Sequence, residues 1–94
     1  MAVGRQVTVS AATPTLIAED AAYRTSDNPL TVLIQGTSTT CHLGGPTVSG
    51  ATDGLPFNTT LYPSGMAFAL HSGEKLYGLS SSGNQTYQVL ELNK

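Results

Sequence analysis

Residues Leu30–Gln35 have the sequence LTVLIQ, which is the most apolar and β-branched stretch of the chain. Branched aliphatic side chains of this kind fit the pleated, packed surface of a β-sheet. A cluster of turn-forming residues at 25–29 precedes the stretch, and Gly36 follows it at the start of a polar loop. We therefore expect a central strand here, and the rest of the fold is predicted outward from it.

Alternation of apolar and polar residues predicts further strands on both sides of this one. Thr86–Leu92 alternates strictly, which indicates a strand with Tyr87, Val89 and one side of Leu90 or Leu92 facing the core. Val7–Ala11 has the same period of two, and the remaining predicted strands are Thr15–Glu19, Cys41–Leu43, Met66–Leu70 and Leu76–Leu79. A helical turn over Ala18–Ala22 also fits the sequence. Short strands between Gly, Ser and Pro turns predict an all-β chain, a small antiparallel β-sandwich or barrel.

The chain divides into a flexible N-terminal arm at residues 1–6 and a single β domain at residues 7–94. Residues 44–64 are rich in Gly and Pro and contain no clear strand pattern, so we expect a long Gly/Pro-rich loop. Apolar side chains within this loop favour an ordered interaction loop. The residues predicted to contact a partner lie on the loop and the arm: Val3, Arg5, Gly45, Pro46, Val48, Leu55, Phe57 and Tyr62.

The charge and composition exclude several classes of function. Only 11% of the residues are charged and the net charge is -2, so no basic stripe is present to bind nucleic acid. No apolar run approaches the roughly 20 residues that span a membrane. The first residues lack the apolar stretch of a secretory signal, so we expect synthesis in the cytoplasm. Cys41 is the only cysteine, so an intrachain disulfide cannot form.

The residue types that usually carry catalysis form no recognisable motif. Cys41 and His42 are adjacent on a predicted strand, so their side chains point to opposite faces and cannot readily share a metal ion with His71. The serines have no base in a recognisable pattern, and the six carboxylates stand in no catalytic motif. We therefore predict no catalytic residue, no cofactor, no metal ion and no enzymatic activity.

An ordered set of short motifs carries a resemblance to a known class of proteins. The motifs are VTV at 7–9, TPTL at 13–16, the apolar LTVLI at 30–34, CHLGGPTV at 41–48, GLP at 54–56, YPSG at 62–65, LYGL at 76–79 and VLEL at 89–92. With them the chain resembles the small β-rich virion structural proteins of tailed bacteriophages. The resemblance implies a capsid decoration protein that binds the outer surface of the head and stabilises contacts between major capsid subunits. It carries over no catalytic residue.

This resemblance sets the expected partners and location. The partners are the major capsid protein and copies of the chain itself, as a homotrimer, and the location is the capsid surface of the virion. Strand addition from the N-terminal arm is one way to join copies. The alternative function is a minor tail protein or a host-adhesion module that binds carbohydrate, for which the stacking platforms are Tyr23, Tyr62, Tyr77 and Tyr87.

Overall fold

The computed structural model describes residues 3–20, 30–50, 53–71 and 73–92. Within these ranges the chain forms strands and loops, and no helix is present that could span a membrane. The strands are β1 (Val3–Val9), β2 (Thr15–Glu19), β3 (Leu30–Gln35), β4 (Cys41–Gly44), β5 (Leu55–Phe57), β6 (Met66–Leu70), β7 (Lys75–Ser80) and β8 (Gln85–Leu92).

The strands form two four-stranded antiparallel sheets that pack together as a small β-sandwich. The first sheet has the strand order β1-β8-β3-β6, and the second has the order β2-β7-β4-β5. The predicted all-β fold is thereby confirmed. β3 has neighbours on both sides, as predicted for a central strand, and Thr15–Glu19 is a strand and not a helical turn.

Alternation along β3 and β8 decides which side chains of the first sheet enter the core. Val32 and Ile34 on β3 are fully buried, and Tyr87 and Val89 on β8 are buried as predicted. The prediction that Leu90 or Leu92 turns one side to the core is wrong, because both lie at outward positions and Glu91 between them is the buried residue. Ile34 lies opposite Val89 in the register of the two strands. Because successive side chains of a strand point to opposite faces, the residues between these positions form the outer face of the first sheet.

Aromatic rings fill the core between the two sheets at one end. The ring of Phe57, on β5, lies 6.0 Å from the ring of Tyr87 between centroids, and both side chains are buried. Gly36 leaves room for this pair, because a Cβ atom placed there would lie 2.7 Å from Phe57 and 2.9 Å from Tyr87. The glycine after β3 is therefore required by close packing of the rings.

An ion pair joins β1 to β8 and ties the first sheet to the second. The Arg5 Nε atom donates to the Glu91 carboxylate at 2.8 Å, and Arg5 Nη2 donates to the main-chain carbonyl of Ile17 on β2. Glu91 is only 1% exposed, whereas the Arg5 side chain is 38% exposed. The positive charge of Arg5 thus offsets the negative charge of the Glu91 carboxylate, which is buried on the inner face of the sheet.

Two parts of the predicted organisation are corrected by the strand assignments. Residues 3–6, predicted to lie in the flexible arm, belong to β1 and pair with β8, from Val3 opposite Glu91 to Gln6 opposite Gln88. The strand is fixed by a partner more than 80 residues away, which local sequence does not reveal. Residues 1 and 2 lie outside the described residues.

The segment 44–64 also contains a strand that its composition does not suggest. β5 pairs with β4, so that Cys41 lies opposite Phe57 and Leu43 lies opposite Leu55. Pro56 cannot donate a main-chain hydrogen bond, but it is tolerated here because β5 is at the edge of its sheet. Residues 51 and 52 of this segment lie outside the described residues.

Gly36→Ala should destabilise the chain by about 1–3 kcal/mol, because the new methyl group overlaps two buried rings that cannot move apart freely. Urea denaturation measures the change in the free energy of unfolding. Gly45→Ala is the matched control: a Cβ atom there meets no atom within 4 Å, so the expected change is within about 0.5 kcal/mol. Equal stability of Gly36→Ala and the wild type would contradict this packing.

Arg5→Met should destabilise the chain by about 1–3 kcal/mol, because it leaves the buried Glu91 carboxylate without its guanidinium. Lys75→Met is the control, because Lys75 pairs with Glu19 at 3.8 Å between two half-exposed side chains, and exposed pairs contribute little. The same denaturation experiment measures both variants. If Arg5→Met lowers the free energy of unfolding no more than Lys75→Met does, the ion pair between Arg5 and Glu91 does not contribute this stability.

Candidate binding face

The outer face of the first sheet carries no charged side chain among the described residues. Its outward positions are occupied by Thr, Gln, Leu, Ala and one Gly: Gly4, Gln6, Thr8, Thr31, Leu33, Gln35, Ala67, Ala69, Thr86, Gln88, Leu90 and Leu92. The charged residues of the same strands, Arg5 and Glu91, point inwards and pair with each other. This surface, which we call the neutral face, is therefore polar and aliphatic without charge.

Three glutamines form a row across the neutral face. Gln6 on β1 and Gln35 on β3 both lie opposite Gln88 on β8 in the strand register. Directly opposite side chains in an antiparallel pair have Cβ atoms about 4.5–5.5 Å apart, so the three carboxamides are close neighbours. The row depends on the register of three strands and on no feature of the local sequence.

A cavity of about 510 Å³ lies beside this row. The three glutamines border it, Leu33 and Leu90 provide its aliphatic surface, and the rest of its lining consists of Gly4, Arg5 and Val89. Gly4 has no side chain, and a Cβ atom there would lie 3.7 Å from Leu90. The absence of a side chain at this position keeps Leu90 accessible from outside.

The carboxamides of the neutral face are available to a ligand or partner. No hydrogen bond to the side chains of Gln6, Gln35 or Gln88 occurs within the described part of the chain. Each carboxamide offers one carbonyl oxygen as acceptor and two N–H groups as donors. The chemistry of such a set suits uncharged polar groups, such as the main-chain amides of a protein or the hydroxyl groups of a sugar.

The outer face of the second sheet is different, because a loop folds back over part of it. Val48, in the loop after β4, is buried against Gly44 and Gly54, and a Cβ atom at Gly54 would lie 2.7 Å from His42 and 2.8 Å from Val48. Val48 therefore packs on the outside of β4, apart from the main core. The Val48 side chain is therefore buried within the chain and is not available to a partner.

Asp53 holds the two sides of this loop together. Its carboxylate accepts hydrogen bonds from the main-chain amides of Ser49 and Gly50, at 2.9 and 3.2 Å, and from the Ser49 hydroxyl at 3.1 Å. These hydrogen bonds, with that of the Ser49 amide the largest, lower the pKa of the Asp53 carboxyl below its ordinary value. Asp53 is thus a structural carboxylate that is ionised in the folded loop.

The predicted partner-binding residues are divided between the core and the surface. Val48 and Phe57 are buried and pack within the chain, and Arg5 is paired with Glu91. Tyr62 is half-buried with its ring 5.9 Å from that of Phe57. The structure does not bring these side chains together on one outer surface.

Three of the other predicted contact residues have exposed positions. Gly45 and Pro46 lie exposed in the loop after β4, and Leu55 is 45% exposed on the edge strand β5. Val3 lies in β1 opposite Glu91. The three glutamines of the neutral face were not among the predicted residues, although the outward position of Gln88 could be inferred from the alternation of its strand.

The residues considered for metal binding and nucleophilic chemistry have separate environments. Cys41 is fully buried, whereas His42 is half-buried on the opposite face of β4, and His71 is exposed after β6. Burial raises the pKa of the Cys41 thiol to about 11, which disfavours the thiolate. In the described ranges no three His, Cys, Asp or Glu side chains are grouped to hold a metal ion.

Comparison of the chain with protein-family models, with curated proteins and with solved structures finds no match.

Lowering the pH should release the loop that Asp53 holds. A carboxyl whose pKa is lowered on folding stabilises the folded loop above its ordinary pKa, near 3.8, and this contribution is lost as the pH falls through the lowered value. The NMR amide resonances of Ser49 and Gly50 should therefore shift with a midpoint below that value. Asp53→Ala should abolish the shift. A midpoint at or above the ordinary pKa would contradict the hydrogen bonds.

Proposed function

We propose that this protein is a non-enzymatic binding module that docks its neutral face on a larger protein assembly. In the setting implied by the sequence resemblance, the assembly is the head of a tailed bacteriophage and the protein is a capsid decoration protein. Its partner is then the major capsid protein, and its place is the outer surface of the virion after synthesis in the host cytoplasm. The observation that carries the proposal is the neutral face with its row of free carboxamides.

The neutral face has the chemistry of the centre of a protein interface. Charged residues are depleted there because their desolvation is costly, and the neutral face has none among its described positions. Leu33 and Leu90 supply apolar area, while the carboxamides can satisfy main-chain groups of a partner that lose water on docking. A protein that binds only the folded chain also stabilises it by mass action.

The positions of the charged and nucleophilic groups favour a non-catalytic role. Glu91 is held by Arg5, Asp53 is occupied by the loop amides, and Glu19 pairs with Lys75 on the outer face of the second sheet. None of these groups borders the cavity on the neutral face except Arg5. A general acid or base needs to reach the reacting atoms, and the carboxylates of the described residues are elsewhere.

The second candidate is a module that binds a neutral carbohydrate, and the cavity is the observation that favours it. Free carboxamides beside aliphatic side chains suit sugar hydroxyls. Aromatic stacking is weakly supported, because Tyr87 is buried, Tyr62 packs on Phe57, and Tyr77 lies on the outer face of the second sheet. Tyr23 lies outside the described residues. A bound sugar would contact the cavity and its carboxamides without an aromatic platform, whereas a docked protein would contact the whole neutral face. Protein docking is therefore the first candidate.

Gln88→Lys should weaken binding to heads that lack this protein by about tenfold or more, because it introduces a charge at the centre of the docking face. Co-sedimentation with the heads over a concentration series measures the affinity. Leu16→Lys is the matched control, because it adds the same charge to the outer face of the second sheet, at a side chain that is 37% exposed. Its affinity should equal that of the wild type.

Urea denaturation of both variants separates loss of binding from loss of folding. Failure of the wild-type protein to bind heads would overturn the decoration role. Equal weakening by both lysines would overturn the choice of the neutral face. Binding of soluble glycans that is lost in Gln88→Lys, without binding to heads, would support the carbohydrate module instead.

A further inference from the structure

Strand β6 is an edge of the first sheet, and it lacks the features that protect an edge strand from pairing with a strand of another chain. The other three edges each carry one. β5 is three residues long and contains Pro56, β2 has an irregularity between Leu16 and Ala18, and β1 has the inward-pointing charge of Arg5. β6 has the sequence MAFAL, with no charge and no proline, and no described residue pairs with its outer edge.

The sequence of β6 is complementary to itself in the antiparallel direction. Large apolar side chains stand at positions 66, 68 and 70, and alanines stand between them. A two-fold axis through Phe68 would place Phe68 opposite the same residue of a second copy, Met66 opposite Leu70, and Ala67 opposite Ala69. Large side chains then meet large ones on the inner face, and alanines meet on the outer face. An interface between identical copies needs this kind of self-complementarity.

The inward side chains of β6 are incompletely covered in the single chain. Met66 and Phe68 are half-buried and pack against the main core, while Ala67 and Ala69 are exposed on the neutral face. A second β6 strand would cover the open side of Phe68 with the same residue of the second copy, and that of Met66 with Leu70 of the second copy. The core of one copy would thereby continue into the core of the other.

We propose that two copies of this chain pair through antiparallel β6 strands. The two four-stranded first sheets then join into one sheet of eight strands. Because Ala67 and Ala69 belong to the neutral face, the neutral faces of the two copies become one continuous surface. The association is two-fold, so it takes the place of the homotrimer predicted from the sequence. It does not depend on the proposed function, because self-association is measured without heads.

Sedimentation velocity of the full chain over a concentration series tests the pairing, with two charge variants at the same positions. A67K/A69K places lysine opposite lysine at both alanine pairs and should raise the dimer dissociation constant about tenfold or more. A67K/A69E places lysine opposite glutamate at both pairs and should remain a dimer with an affinity close to that of the wild type. Since the same two exposed positions change in both, the second variant controls for folding.

A lysine pair on the other edge of the same face completes the design. Gln6→Lys with Thr8→Lys adds the same charge on β1, where both side chains are exposed, and should leave the dimer unchanged. Four results would overturn the proposal: a wild-type chain that stays monomeric throughout the series, a wild-type trimer, a dimer that persists in A67K/A69K, or dissociation of the folded A67K/A69E variant. Dimerisation with no binding to heads would leave this inference intact and overturn only the proposed function.

Discussion

β8 pairs with a strand on each of its sides, and the two faces of the first sheet follow from these pairings. β8 lies between β1 and β3, so its alternation fixes the inner and outer faces of the first sheet. A slip of one residue would turn Gln88 and Leu90 into the core and bring Glu91 out. The ion pair between Arg5 and Glu91 opposes such a slip, because Arg5 reaches a buried carboxylate only in the observed register. The ion pair between Arg5 and Glu91 therefore specifies the register of β1 and β8 more strictly than apolar packing alone.

The same register creates the surface to which we assign function. Gln6, Gln88 and Gln35 come from three strands that are far apart in sequence, and they form a row only because each lies at a matching position of its strand. The charges of these strands are directed inwards, which leaves the outer face neutral. Stability and the proposed binding surface thus have one structural cause, the alternation of the central strands. The outer face of the second sheet is less open, because the loop after β4 packs Val48 against part of it.

Local sequence was sufficient for the strands that alternate or are strongly apolar. Leu30–Gln35, Met66–Leu70 and the inward positions Tyr87 and Val89 were predicted correctly, because each depends on a period of two within one stretch. β5 was missed because its Pro and flanking Gly are typical of a loop, and only its edge position permits a strand there. The start of β1 was missed because the role of Arg5 requires a carboxylate at the far end of the chain.

The candidate surface was harder to predict than the fold. Val48 and Phe57 suggested a contact surface because apolar residues in a long loop have no evident local partner, whereas in the folded chain each has one. The glutamine row gives no signal until the register of three strands is known. Sequence patterns therefore predict what each strand buries, and the three-dimensional register is needed to identify what the sheet presents.

Protection of an outward side chain on the heads shows whether the neutral face is the docking surface. Thr86→Cys places a thiol on the neutral face, and Lys75→Cys places one on the outer face of the second sheet; both positions are exposed, and Cys41 is buried. Maleimide labelling of each variant is compared free and bound to heads. We expect binding to slow labelling at position 86 and to leave labelling at position 75 unchanged. Equal labelling of position 86 in the two states, or protection at position 75 alone, would contradict it.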